Sequence, residues 1–356
     1  MFNTFKHLMY HSRVIKRHIG LMPKIVSGYA KTLLLGQTVL RTVEFALIAE
    51  CNSKCIMCYA SKIKKEDDSY LTVDEYRTVW QQASRMGAFS AVLSGGEPTL
   101  RHDLFDIISV MEPSRTIFAL VTNSLVLDRP FLSDLKKAGV ATIHFSLDST
   151  NRVENDLIRG AEGHFVQAVA SIEEAKRLGF SVYISTVVMH GGLGRMREMV
   201  RFARANGIGI VFSLACVSGN WSDESGVLIT PEEWGEIQRY MRDNPDVRSD
   251  WTINFSMRQE CPGGREKLSI SCYGDVTGCG MNYVSFGNIR EEPLERIWRR
   301  MGNFPDFKRR SRDCLIGADP DYIERYLKPL ANMQVPVRVD RHPTHPISFE
   351  SLDKGK

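Results

Sequence analysis

The first 41 residues contain no aspartate and no glutamate, although they carry seven basic side chains (Lys6, Arg13, Lys16, Arg17, Lys24, Lys31 and Arg41). The imbalance ends there, since the remaining 315 residues hold 39 basic and 42 acidic side chains. The body of the chain therefore lacks the clustered positive charge that a nucleic-acid surface needs, and no nucleic-acid partner is expected. Also missing is any apolar run of about 20 residues, so no segment reads as a membrane-spanning helix. No compact apolar stretch followed by small residues reads as an export signal, although a basic, acid-poor start is also what a transit peptide looks like. Without export, the eight cysteines do not read as a secreted disulfide framework but as reduced, metal-binding thiols in a cytoplasm. With 43% hydrophobic and 25% charged residues, global disorder is excluded as well.

One further absence is local. CNSKCIMC (51 to 58) places Cys51, Cys55 and Cys58 together and offers no fourth ligand. A structural zinc site closes its tetrahedron with four protein ligands, whereas a catalytic metal keeps one position open. Cys216 stands alone in an apolar stretch and reads as a small buried hydrophobe; Cys261, Cys272, Cys279 and Cys314 form a second, late group.

In the basic leader, residues 1–41, Phe2, Phe5, Met9, Ile15, Ile19 and Met22 recur at helical intervals among basic residues. The pattern predicts an amphipathic helix that either packs on the main domain or, through residues 1–30, contacts an anionic membrane periphery or substrate.

Six short apolar, β-branched runs follow, at 42–49, 89–93, 116–121, 140–147, 180–188 and 208–214, separated by helical patterns near 73–86, 103–112, 130–138, 164–178 and 194–205. Thr72 with Glu75 forms a capping box, and Gly87, Gly139, Gly179 and Gly207 punctuate helix ends. The alternation predicts an α/β fold, a partial (β/α)6 parallel barrel over 42–215. Reactive groups in such folds gather at the carboxyl ends of strands. The three cysteines, SGGEPTL (94–100), TNS (122–124) and SLDST (146–150) all lie there. A connecting helix and strand are expected over 216–255, a small hairpin-rich module over 256–333, and a flexible tail over 334–356.

Soft thiolates favour iron-sulfur clusters and zinc. Cys51, Cys55 and Cys58 after a first strand, with Gly95-Gly96-Glu97-Pro98 after the second, resemble the radical S-adenosylmethionine superfamily. The resemblance implies a 4Fe-4S cluster on these cysteines whose fourth iron binds the amine and carboxylate of S-adenosylmethionine, yielding a 5′-deoxyadenosyl radical on reduction. The glycine turn would then receive the amine, with no Cβ in the way and Glu97 helping to orient it. The position before the third cysteine is usually aromatic in the family; here it is Met57, followed after the cysteine by Tyr59, and contact with adenine is expected there. Thr122, Asn123 and Ser146 fall where family members touch the ribose, and Arg159 where the cofactor carboxylate is met, although local turns also account for them.

Residues 261–298 are similar to the auxiliary-cluster module called SPASM, or its shorter form Twitch. This implies one auxiliary 4Fe-4S cluster on Cys261, Cys279 and Cys314, with Cys272 as fourth ligand or bystander; without it, one iron could bind substrate. The reaction expected is oxidation or bond formation on an organic small molecule, with peptide or lipid as alternatives, served by a low-potential donor such as flavodoxin or ferredoxin. The non-enzyme alternative is a zinc-binding interaction protein.

Overall fold

The computed structural model describes residues 18–66, 69–249 and 260–355. Strands form where the apolar runs predict them: β1 Thr42–Ala46, β2 Ser90–Ser94, β3 Ile117–Thr122, β4 Val140–Ser146, β5 Ser181–Val188 and β6 Gly209–Leu214. They pair in chain order, all parallel, with Phe45 opposite Leu93 and Phe145 opposite Ile184. Helices cover the outside: α1 Met22–Leu35, α2 Val73–Arg85, α3 Leu104–Val110, α4 Arg129–Lys137, α5 Arg152–Arg159, α6 His164–Arg177, α7 Leu193–Ala205 and α8 Pro231–Asp243. Alternate strand residues such as Val43 and Phe45 pack against them, with Phe45 edge-on to Tyr76 and Trp80 of α2. The other set, including Glu44, Ser94, Ser185 and Ser213, faces a chamber. No helix among the described residues is long and apolar enough to cross a membrane.

The late hairpin is not a separate sheet. β8 (Lys267–Ile270) pairs in parallel with β1, and β9 (Asp275–Thr277) and β10 (Val284–Asn288) continue antiparallel from it. β7 (Val247–Arg248) extends the other edge beside β6, and β11 (Val337–Arg338) ends the sheet beside β10. Among the described residues, eleven strands form one open sheet, a barrel left unclosed.

Three expectations need revision. Residues 334–355 are folded: after β11, the helix Phe349–Lys354 packs on α9 (Leu294–Asn303). Asp353 bonds Arg300 Nε at 2.9 Å, and the Arg300 guanidinium lies 3.6 Å from the Phe349 ring centre. Proline and charge in this stretch suggested a loose tail, but buried Val335, Val339 and Leu352 anchor it. Of the leader stripe, residues 1–17 lie outside the described residues, while Ile19 is exposed and Met22 half-buried. The leader's ordered helix is α1, which lies across the amino ends of β1 and β2. There Lys24 Nζ bonds Ala88 O at 2.6 Å, and Arg41 Nη2 bonds Gly28 O at 3.1 Å. Third, α5 forms between β4 and α6, where no helix is predicted from the sequence.

One contact ties α2 to the late segment. Arg290 Nε donates to Glu75 at 2.5 Å, and this hydrogen bond above all holds the Glu75 carboxyl down at about 2. A depressed folded pKa contributes stability above the unfolded value near 4.5, and that contribution is lost as pH falls towards 2. Glu75→Gln is therefore expected to flatten the dependence of melting temperature on pH between those values, measured against wild type.

Candidate functional site

The loop after β1 carries the first three thiols, and its shape is imposed by glycines that press on its backbone from three sides. A Cβ on Gly96 would lie 2.1 Å from Glu50 O, one on Gly160 2.2 Å from Lys54 O, and one on Gly219 1.9 Å from Cys58 O. Hydrogen bonds follow these approaches: Gly96 N to Ile48 O at 2.7 Å, Glu97 N to Glu50 O at 2.8 Å, Asn220 N to Cys58 O at 3.0 Å and Asn220 Nδ2 to Cys55 O at 2.8 Å. Ser53 Oγ adds a bond to Arg159 O.

Glycines 95 and 96 also fix the cysteine loop against their own turn. Both line the chamber, but the side-chain space they vacate is filled by the backbone of residues 48–50. The Glu97 carboxylate is buried and accepts from Thr99 N at 3.1 Å, Thr122 Oγ1 at 2.8 Å and Asn123 N at 2.7 Å, besides Thr99 Oγ1. Burial pushes its pKa up against those donors. With its oxygens engaged by its own chain, Glu97 clamps the β2 and β3 turns together.

The remaining predicted residues of the first site converge. Asn123 Nδ2 bonds Asn52 at 2.7 Å and stands 3.5 Å from Cys51 Sγ. Arg159 pairs with buried Asp148 and reaches 3.9 Å from Cys55 Sγ. Met57, Tyr59, Thr122 and Ser146 line the same chamber, whereas Pro98 is buried in the turn behind it. The half-buried Tyr59 ring lies near Glu44, Cys58 and Ser94.

Cys261, Cys279 and Cys314 line the same chamber, so both thiol triplets open into one cavity. Cys261 N bonds Ser311 O at 2.9 Å, and Trp234 Nε1 of α8 bonds Asp313 Oδ1 at 2.7 Å, fixing the Cys314 segment. Cys272 is not brought in. It sits in the β8–β9 turn and continues the parity of Leu268 and Ile270, the face away from Lys267 and the chamber. Its fully buried thiol lies among Tyr70, Tyr76 and Arg101. Cys272→Ala is expected to leave the iron content of reconstituted protein unchanged, while the cavity lowers stability by about 1 kcal/mol.

The donor set fits iron-sulfur clusters. All the cysteines are free thiols. Burial pushes Cys279 up to about 12, and raises Cys58 and Cys314 too, with neighbouring thiols adding to the shift. Thiolates form there only with a compensating positive charge, which metal ions supply. Among the described residues, no three His, Cys, Asp or Glu side chains converge closely enough for one metal ion.

Several residues escaped the sequence reading. Glu44 and Lys267 are buried charges in strands, both facing the chamber; a charge inside an apolar run was the available signal. Glu44 accepts from Ser94 Oγ at 3.2 Å. Gly219 and Asn220, in SGNW, carry no signal of their role. Cys216, read as a small hydrophobe, is buried but lines the chamber.

Comparison with known proteins agrees with this geometry. Residues 46–204 match the radical SAM superfamily and residues 261–316 the SPASM iron-sulfur cluster-binding domain. The chain is 26% identical over 289 residues to an AdoMet-dependent heme synthase of Methanosarcina barkeri, covering 72% of this chain and 82% of the relative. It is 29% identical over 321 residues to an Fe-coproporphyrin III synthase of the same organism, covering 80% and 79%. A probable GTP 3′,8-cyclase of Pyrococcus abyssi is 30% identical, over 45% of this chain and 52% of its own. Among solved structures, Streptococcus suis SuiB bound to the precursor peptide SuiA superposes with a TM-score of 0.58 at 17% identity, covering 76% of this chain and 67% of its own. That likeness shows the fold alone. The chain belongs to the radical SAM superfamily, as an enzyme that binds S-adenosylmethionine and a 4Fe-4S cluster and carries a SPASM-type auxiliary iron-sulfur module.

Proposed function

We propose that this enzyme oxidises, or forms a bond on, a small organic metabolite held between its two thiol triplets. The observation that carries the reading is that both triplets open into one cavity. When bound, the first cluster and its cofactor supply a hydrogen-abstracting radical, and the auxiliary cluster an electron acceptor within reach of the same substrate. The chain's own groups position and enclose. Trp221, Trp234, Phe307 and Met281 give the cavity an apolar wall that grips a carbon skeleton, and Glu44 and Lys267 give it two buried charges for polar substituents. Arg159, tethered by Asp148 beside Cys55, offers a cation at the carboxylate end of the cofactor. Cys51 lies at the exposed edge of its loop, where a flavodoxin or ferredoxin can deliver an electron.

Relatives aligned along both modules are named for porphyrin products, which makes an iron porphyrin the first metabolite to test. Reconstituted enzyme with reductant, S-adenosylmethionine and deuterated candidates is expected to move deuterium from one substrate into 5′-deoxyadenosine. Stimulation by peptides alone, with no transfer from any small molecule, would overturn the reading.

A further inference from the structure

Helix α1 has two unlike faces. Leu21, Gly28 and Thr32 are buried against the body. On the opposite side Ile19, from the turn before the helix, is followed by Pro23, Val26, Ala30 and Leu34, spaced by four, three, four and four residues. At 3.6 residues per turn these make one stripe, and no polar side chain interrupts it. Ile19 is 73% exposed, Val26 58% and Leu34 81%; Leu35, 66% exposed, widens the stripe at its end. Among the described residues, four of the eleven exposed large hydrophobics fall in this one short segment, so the exposure is concentrated rather than scattered.

Charge decides what covers it. The stripe belongs to a stretch of 41 residues with seven basic and no acidic side chains; Arg41 is buried in a pair with Glu266 and Lys24 bonds Ala88 O, which leaves five basic side chains in the stretch. A second copy docked face to face would bring two such stretches together, like charge against like. A single helix stripe also offers far less than the roughly 800 Å² per partner that a stable protein interface buries. A bilayer needs no shape complementarity, accepts a narrow convex apolar ridge, and, when anionic, attracts a segment whose charge is all basic, exposed Lys31 of α1 included.

We propose that the outward face of α1 seats the enzyme on an anionic lipid bilayer, with Ile19, Val26 and Leu34 entering the headgroup layer. Because α1 crosses the amino ends of β1 and β2, while the thiol-lined chamber opens at the carboxyl ends of the strands, the docked enzyme keeps its chamber turned away from the lipid. The proposal is independent of the substrate class.

The test is flotation of the full chain with phosphatidylcholine vesicles, with and without phosphatidylserine. Wild type is expected to float with the anionic vesicles only. Val26→Asp combined with Leu34→Asp is expected to lower partitioning about tenfold or more, since two buried apolar side chains become charged. Circular dichroism and 5′-deoxyadenosine release should be unchanged in that variant. Raising salt from about 0.1 M to 1 M, which shortens the screening length from about 10 Å to about 3 Å, should weaken binding as well. Absence of flotation at low salt overturns the proposal, as does flotation indifferent to the double substitution. A wild-type dimer that the substitutions turn into monomer would assign the stripe to a second copy instead.

Discussion

Gly219→Val is expected to abolish 5′-deoxyadenosine release and to cost the reconstituted protein about half its iron, one cluster of two. The residue lies outside both thiol loops, and its effect would be transmitted by contact alone. A Cβ there would sit 1.9 Å from Cys58 O and 2.7 Å from Tyr59 Cα, both backbone atoms that cannot swing aside as a side chain can. The backbone at Gly219 also has φ +58, where a β-branched residue adds strain of about 1 to 3 kcal/mol. The cysteine loop must therefore move, and Asn220 loses its bonds to Cys58 O and Cys55 O with it. Gly96→Val should do the same from the other side, through Glu50 O at 2.1 Å. Gly207→Ala is the control. It also has positive φ, +64, but a Cβ there meets nothing within 4 Å. It should lower the melting temperature slightly, by the roughly 1 kcal/mol such strain costs, and leave iron and cofactor cleavage intact. Equal effects at 207 and 219 would show that global stability, and not the loop, carries the loss.

That contrast also marks where the sequence was legible. Strand positions could be read because each is a short β-branched run bounded by turn residues, and the Thr72–Glu75 capping box sits at a helix start as its spacing requires. The thiol triplets could be found because soft ligands at fixed spacing have few other uses. What stayed hidden depends on register or on distant approach. Whether Cys272 faces the chamber turns on the parity of β8, and a one-residue change in register inverts the answer. GGEP announces a turn, but not that its glycines accommodate residues 48–50; that contact joins two loops set side by side by the pairing of β1 with β2. The folded end of the chain was missed for a similar reason. Arg300 is 1% exposed among Glu292, Asp353 and Phe349, and a sequence rich in arginine gives no hint of which one is buried.

Replacing Cys279 and Cys314 together with serine is expected to separate making a radical from using it. The two thiols belong to the late segment, and the first triplet to the loop after β1, so iron should fall by about half while 5′-deoxyadenosine release persists. Bonds independent of the thiols support the altered segment: Asn282 N to Cys279 O at 3.0 Å, Cys261 N to Ser311 O at 2.9 Å and the side-chain bond from Trp234 to Asp313 at 2.7 Å. Pairing of β8 with β1 should likewise survive, because it rests on main-chain ladders and the buried Leu268 and Ile270. Product formed per 5′-deoxyadenosine released should then drop by at least about tenfold, equivalent to about 1.4 kcal/mol of lost coupling. The measurement is the ratio of the two yields on one substrate, which cancels any loss of active protein. A fall in both yields together would mean that the late segment has collapsed into the chamber mouth and that its cluster is a staple. An unchanged ratio would remove electron acceptance by the auxiliary site from the reaction, and leave the shared cavity to be explained by substrate enclosure alone.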